Sequence, residues 1–166
     1  MSNSSNYVIP SQTRIGHVHL KVSDLERSLG FYCGLLGFEL TTRYGSDAAF
    51  ISAGGYHHHI GLNVWYSKGS PPPPRRAPGL FHTAILYPRR EDLALIYKRL
   101  LDDGYPLTGA ADHGVSEALY LDDPDQNGVE LYWDRPKEAW PHKEDGSLEM
   151  YTRALDLQGL LQLLPS

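Results

Sequence analysis

The chain repeats one pattern at a spacing of 65 residues. This shift carries His17 of IGHVHL onto His82 of LFHTAI, and it also matches apolar residues along both segments: Leu20 with Ile85, Phe31 with Ile96, Tyr32 with Tyr97, Leu35 with Leu100 and Leu36 with Leu101. A unit of this length cannot cover its own sheet, so two copies must pack together to bury a core. The repeat therefore predicts two similar modules related by a pseudo-twofold axis.

Both copies predict the same order of elements. In the first, IGHVHLKV alternates as a strand does, and Ser23 with Glu26 forms a capping box before a helix that ends at Gly37. Three short strand candidates follow: FELTTRYG, AAFISAGG and HHHIGLNVWY. The second copy begins with FHTAILYP and the helical EDLALIYKRLLDDG. We predict an α+β fold in which paired βαβββ modules form a cupped sheet with the helices outside.

Changes of composition along the chain predict how it divides into a tail, a domain and an extension. We expect a loose tail over 1–13, a single domain over 14–135 and an extension over 136–166 whose leucines favour a helix that packs on the domain or on a second copy. Within the domain, module one covers 14–66 and module two covers 80–135. The stretch SKGSPPPPRRAPG over 67–79 is interpreted as a spacer, because proline donates no amide hydrogen and favours extended backbone.

Composition narrows the class of partner. The net charge of −5 comes from 15 basic and 20 acidic residues without a basic stripe, which favours neither nucleic acid nor an anionic membrane. No apolar run reaches the length of about 18 residues that a membrane span needs, so we expect a cytoplasmic protein. The single cysteine, Cys33, lies in an apolar helical pattern that predicts a buried, inert thiol. A small molecule is the expected partner.

The positions of the histidines point to a metal. If Val18, Leu20 and Val22 face the helix, then His17, His19 and Lys21 face the cup. The pseudo-twofold axis would bring His17 close to His82, its equivalent in module two. We interpret His19 and Lys21 as pocket wall, because a step of two residues along a strand is about 6.6 Å.

A single carboxylate completes the predicted set. Aligning Leu131 with Leu62 in the last strand of each module places Glu130 opposite Gly61, so only module two offers an acid. Two imidazoles and one carboxylate suit Fe(II) or Mn(II) and leave coordination positions for a chelating substrate and dioxygen.

The run His57, His58 and His59 has two interpretations. Strand alternation would put His57 and His59 on one face and His58 on the other, so at most two could enter the cup. Repeat register would place His59 two residues before Gly61 on the same face, beside the metal. A polar strand end with three solvated histidines is the alternative.

Three segments carry a family resemblance. HVHLKVSDLERSLGFYCGLLGFEL, GLFHTAILYP and LYLDDPDQNGVELYWDRP resemble the vicinal oxygen chelate superfamily, which includes glyoxalases, bleomycin-resistance proteins and extradiol dioxygenases. The resemblance is greatest to catechol 2,3-dioxygenase-like proteins. It implies metal ligands at His17, His82 and Glu130, a substrate-binding tyrosine at Tyr120 and an acid–base histidine at His59. His113 has two interpretations, a residue that lines the pocket entrance or an ordinary loop histidine, and we favour the second.

Two departures from the superfamily bear on function. Full extradiol enzymes commonly have two paired domains where this chain has one, and Gly61 supplies no fourth ligand of the glyoxalase kind. We expect a ring-cleaving dioxygenase that acts on a catecholic molecule and dioxygen, with Fe(II) as the metal and Mn(II), Ni(II), Co(II) or Zn(II) as alternatives. A glyoxalase-like lyase or isomerase, and a small-molecule binding protein of the resistance type, remain the other two hypotheses. A homodimer is left open.

Overall fold

A computed structural model describes residues 7–165 of the chain. Residues 1–6 of the predicted N-terminal tail lie outside the described part. Residues 7–17 hold no helix or strand. Over residues 7–165, no helix has the length and apolar character needed to cross a membrane.

The first module follows the predicted order. Strand β1 (Val18–Lys21) leads into helix α1 (Leu25–Leu29), which continues as a π-helical segment over Gly30–Leu35. Three strands follow: β2 (Glu39–Tyr44), β3 (Ala48–Ser52) and β4 (Ile60–Asn63). Together with β1, these strands form a four-stranded sheet in the order β1-β4-β3-β2, with β1 parallel to β4.

The second module repeats this plan and adds a strand. It contains β5 (Thr83–Leu86), α2 (Arg90–Asp102), β6 (Gly109–Asp112), β7 (Ser116–Asp122) and β8 (Gly128–Asp134). The sheet order is β5-β8-β7-β6-β9, with β5 parallel to β8 and β9 (Arg153–Ala154) at the outer edge. The predicted α+β fold of paired βαβββ modules is confirmed, and the two sheets stay separate.

Strand register matches the two halves residue by residue. His19 pairs with Gly61 across β1 and β4, whereas Ala84 pairs with Glu130 across β5 and β8. The alignment of Glu130 with Gly61 is therefore correct. A Cβ atom on Gly61 would lie 2.9 Å from the ring of His19, so that imidazole occupies the space above the glycine. Each module thus pairs one large polar side chain with one small residue.

The start of α1 differs from the prediction. Asp24, not Ser23, is the N-cap, and its carboxylate accepts a hydrogen bond from the amide of Arg27 at 3.0 Å. The Ser23 hydroxyl instead donates to Asp125 of module two at 2.6 Å. A distant partner has displaced the capping box that the local sequence favoured.

The turn between β7 and β8 fastens the two modules together. Asp125 accepts hydrogen bonds from the amide and hydroxyl of Ser23 and from the guanidinium of Arg27. The hydroxyl of Tyr32, which is fully buried, donates to Asp123 at 3.0 Å. Burial and the nearby charge of Asp123 raise the pKa of Tyr32, so the phenol keeps its proton. We name these contacts the aspartate latch.

The C-terminal segment packs on module two. Beyond a 3₁₀ turn (Lys137–Ala139), β9 pairs with β6, and the short helix α3 (Leu157–Leu161) contacts α2. Leu160 of this helix is fully buried. Cys33 is only partly buried, contrary to the expectation, and burial raises the pKa of its thiol.

The aspartate latch predicts how much stability is lost when the hydroxyl group of Tyr32 is removed. Replacing Tyr32 with Phe leaves the buried carboxylate of Asp123 without that donor, and we expect the free energy of unfolding to fall by about 1–3 kcal/mol. Urea denaturation measures the change. Tyr44→Phe is the matched control, because Tyr44 is 72% exposed and should lose less than about 0.5 kcal/mol. Equal losses in the two variants would contradict a buried latch.

Candidate active site

Three cup-facing side chains of module two meet at one point. Tyr120 in β7 pairs directly with Glu130 in β8, and His82 immediately precedes β5 beside them. His82 Nε2 lies 2.9 Å from Glu130 Oε2, and the Tyr120 hydroxyl donates to Glu130 Oε1 at 3.1 Å. The Glu130 side chain is only 13% exposed. An imidazole, a carboxylate and a phenol therefore share one small volume.

Tyr120 is a neutral group in this environment. Burial, the charge of Glu130 and the hydrogen bond to that carboxylate together raise the pKa of Tyr120 to about 12. The phenol consequently carries its proton at neutral pH and serves as a hydrogen-bond donor.

His113 extends this cluster toward the C-terminal segment. Its Nε2 lies 2.7 Å from the Tyr120 hydroxyl, and its Nδ1 lies 2.9 Å from the carbonyl oxygen of Tyr151. Since a carbonyl only accepts, we assign a proton to Nδ1. In the neutral ring Nε2 is then an acceptor, and it shares the single phenolic proton of Tyr120 with Glu130. His113 does lie in the loop before β7, and its ring also contacts Tyr120. Nothing near it in the sequence reveals this role, because Tyr151 lies in the extension.

A glycine sets the distance between the two strands of the site. A Cβ atom on Gly128 would overlap the carbonyl oxygen of Phe81 and lie 3.1 Å from the Cβ of His82. The start of β8 can therefore approach the segment that carries His82 only because residue 128 has no side chain.

Module one contributes a cluster of rings. The His17 and His58 ring centroids lie 4.4 Å apart, and His58 also contacts Phe50 at 5.0 Å. His57 Nδ1 lies 2.8 Å from His58 Nδ1. The assignment of the three histidines to alternate faces of a strand does not hold. Strand β4 begins only at Ile60, so the alternation rule does not apply to 57–59.

His59 is held by the end of β3. The backbone amide of Ala53 donates to His59 Nδ1 at 3.3 Å, and the Ser52 hydroxyl lies 3.1 Å from the same nitrogen. We therefore assign the proton of the neutral ring to Nε2. His59, His17 and His82 all line one cleft of about 870 Å³ between β1 and β5.

The structure brings some of the predicted site residues together and not others. Glu130, His82 and Tyr120 form one connected group, whereas His17 and His59 line the cleft from module one. Within residues 7–165, no three His, Cys, Asp or Glu side chains lie close enough together to hold an ion. The role of His17 as a third ligand stays a prediction.

The His82 and Glu130 pair fits a divalent ion. Two donors that bind one ion at about 2.1 Å and at right angles are about 3.0 Å apart. The separation of 2.9 Å between His82 Nε2 and Glu130 Oε2 is close to this value, and it is also the length of a hydrogen bond between the two groups. One imidazole nitrogen and one carboxylate oxygen are also ligands that Fe(II) and Mn(II) accept.

Comparison with known proteins identifies the family of the chain. The sequence profile of the Glyoxalase/Bleomycin resistance protein/Dioxygenase superfamily matches residues 14–131. The chain belongs to this superfamily. The glyoxalase/dioxygenase from Nostoc punctiforme superimposes with a TM-score of 0.63 at 18% identity, over 80% of this chain and 100% of that one. A putative glyoxalase from Bacillus halodurans gives 0.60 at 24% identity, over 74% and 96%.

Two relatives within the superfamily carry dioxygenase names. Catechol-2,3-dioxygenase of Bacillus subtilis (strain 168) is 39% identical over 155 residues, which cover 93% of this chain and 53% of that protein. Biphenyl-2,3-diol 1,2-dioxygenase 3 of Rhodococcus globerulus is 33% identical over 122 residues, or 73% and 63%. The chain thus spans little more than half of the length of the first relative.

The close approach at Gly128 yields a prediction. Gly128→Ala should force β8 away from His82, lower the free energy of unfolding by about 1–3 kcal/mol and weaken divalent-metal binding. Urea denaturation and the metal content after dialysis measure the two effects. Gly109→Ala is the control, because a Cβ atom there would lie 3.7 Å from Tyr120, an ordinary contact. If the Gly109 variant loses as much stability as the Gly128 variant, the close approach is not the cause.

Proposed function

We propose that the protein is an extradiol-type ring-cleaving dioxygenase that uses Fe(II) to open a catecholic small molecule with dioxygen in the cytoplasm. The observation that carries the proposal is the 2.9 Å approach of His82 Nε2 to Glu130 Oε2, with the hydroxyl of Tyr120 bonded to the same carboxylate. The relatives named as dioxygenases of catechol and biphenyl-2,3-diol support it.

In this proposal His17, His82 and Glu130 hold the metal. When bound, the ion would supply a positive centre on which a catecholate and dioxygen are held side by side. Iron with two neutral imidazoles and one carboxylate has a net charge of +1, which favours an anionic chelator. Mn(II), Ni(II), Co(II) and Zn(II) are alternative occupants of the same ligands.

Tyr120 and His59 act on protons in this proposal. With the Glu130 carboxylate bound to the metal, the single phenolic proton of Tyr120 turns from Glu130 to a substrate oxygen, while His113 stays 2.7 Å from the hydroxyl. His59 carries its proton on Nε2, because the Ala53 amide occupies Nδ1. In the neutral ring, His59 therefore enters as a hydrogen-bond donor toward developing negative charge rather than as a base.

The pairing of His19 with Gly61 disfavours the closest rival. A glyoxalase-type site has a fourth protein ligand at the position of Gly61, and here the imidazole of His19 fills that space. A lyase or isomerase with three protein ligands would use the same residues without consuming oxygen. A binding protein would show neither activity.

Oxygen uptake by the iron-loaded protein tests the proposal. The protein is purified anaerobically, loaded with Fe(II) and assayed with catechols in an oxygen electrode. We expect His17→Ala, His82→Ala and Glu130→Ala to lose iron and to lower kcat/KM by more than about 100-fold. His142→Ala is the control, since His142 is exposed and its backbone bridges only to Leu148.

Each part of the proposal has an outcome that would contradict it. If the protein loaded with Ni(II) or Zn(II) converts a substrate without taking up oxygen, it is a lyase or isomerase instead. Full iron content in the His17→Ala variant would remove His17 from the ligand set. His59→Phe should keep its iron and slow turnover, whereas loss of iron would make His59 a ligand.

A further inference from the structure

The imidazole of His19 closes the space above Gly61 to any side chain. A Cβ atom on Gly61 would lie 2.9, 3.0 and 3.1 Å from three atoms of the His19 ring. The φ angle of Gly61 lies outside the left-handed region, so its backbone conformation does not call for glycine. The neighbouring ring, and not the backbone, therefore requires glycine at this position.

Two aromatic rings hold His19 in this place. The ring centroid of Trp65 lies 5.5 Å from that of His19, and the ring of Phe50 meets it edge-on at 5.8 Å. Rings at these distances and tilts attract one another. An imidazole that contacts both rings resists rotation away from Gly61, so the space above the glycine stays filled.

Module two has the opposite arrangement at the equivalent positions. Ala84 takes the place of His19, and Glu130 takes the place of Gly61, because each pair lies at the same register between the first and last strands of its module. The small residue of that pair leaves room for the large one, whose carboxylate reaches to 2.9 Å from His82 Nε2.

A carboxylate at residue 61 would stand toward His17 as Glu130 stands toward His82. His17 immediately precedes β1, and His82 immediately precedes β5. In the proposed function His17 is a metal ligand, so an acid at residue 61 would add a fourth protein ligand. It would then take up a coordination position that a chelating substrate or dioxygen needs.

We propose that His19 is a specificity-determining residue, because its imidazole excludes a side chain from residue 61 and so keeps a coordination position of the ion free for substrate. The sequence suggested only a pocket wall for His19. This inference rests on the proposed function and deepens it, since it assigns the number of protein ligands to a side chain that binds neither the metal nor the substrate.

A double-mutant cycle in the metal-free protein tests the collision. Gly61→Ala should lower the midpoint of urea denaturation by about 1 M, whereas the same change in a His19→Ala background should lower it by less than about 0.3 M. His142→Ala is the control background, since His142 is exposed and should leave the effect of Gly61→Ala unchanged. An equal loss in the His19→Ala background would overturn the inference.

Exchanging the large and small residues tests their effect on the metal. His19→Ala/Gly61→Glu reproduces the arrangement of Ala84 and Glu130, and it should bind Mn(II) at least about tenfold more tightly than the wild-type protein in calorimetry without substrate. His19→Ala/Thr42→Glu is the matched control. It adds the same charge at an exposed residue two strands away from residue 61 in the same sheet, at about 10 Å, and should not bind Mn(II) more tightly. No gain in the exchanged variant, or an equal gain in the control, would overturn the inference.

Oxygen uptake separates this inference from the proposed function. The iron-loaded His19→Ala/Gly61→Glu variant should keep its iron and lower kcat/KM for catechol at least about tenfold. If neither this variant nor the wild-type protein takes up oxygen but the gain in Mn(II) affinity is seen, the proposed function fails and the role of His19 in setting the number of ligands stands. If the variant binds metal more tightly and turns over catechol as fast as the wild-type protein, the position that His19 protects is not needed by the substrate, and the inference fails.

Discussion

The aspartate latch is the interaction on which the rest of the structure depends. Asp123 and Asp125 lie in the turn before β8, and they accept hydrogen bonds from the beginning of α1 and from the π-helical segment that follows it. The same turn leads into Gly128 and Glu130. One short stretch thus fixes the relation of the modules and begins the strand that carries the carboxylate. Burial raises the pKa of Asp123, an effect that hydrogen bonds from Asn127 and Tyr32 oppose.

Duplication explains why a nearly symmetric fold holds one asymmetric site. His19 lies over Gly61 in one module, and Glu130 stands beside Ala84 in the other. The large and small partners have exchanged strands, so the two sheets fill equivalent space with different chemistry. Only one module therefore has an acid at this register position.

The sequence predicted those features that depend on periodicity. It failed where a residue far away in the sequence determines the local structure. The repeat gave the fold and the alignment of Glu130 with Gly61, because each rests on alternation within strands. The prediction of Ser23 as the helix cap was wrong, because its actual hydrogen-bond partner, Asp125, is 102 residues away in the sequence. His57, His58 and His59 were assigned to a strand, but β4 begins only at Ile60, because its start is fixed by pairing and not by composition. The roles of His17 and His59 at a metal stay predictions.

The position of the Tyr151 carbonyl has a consequence for how the protein should be produced. A form trimmed at residue 135, just after β8, would keep the first four strands of each sheet. It would lose β9, the buried Leu160 and the acceptor that orients His113. Expression boundaries drawn from the repeat alone would thus yield a chain in which the hydroxyl group nearest to Glu130 has lost its support.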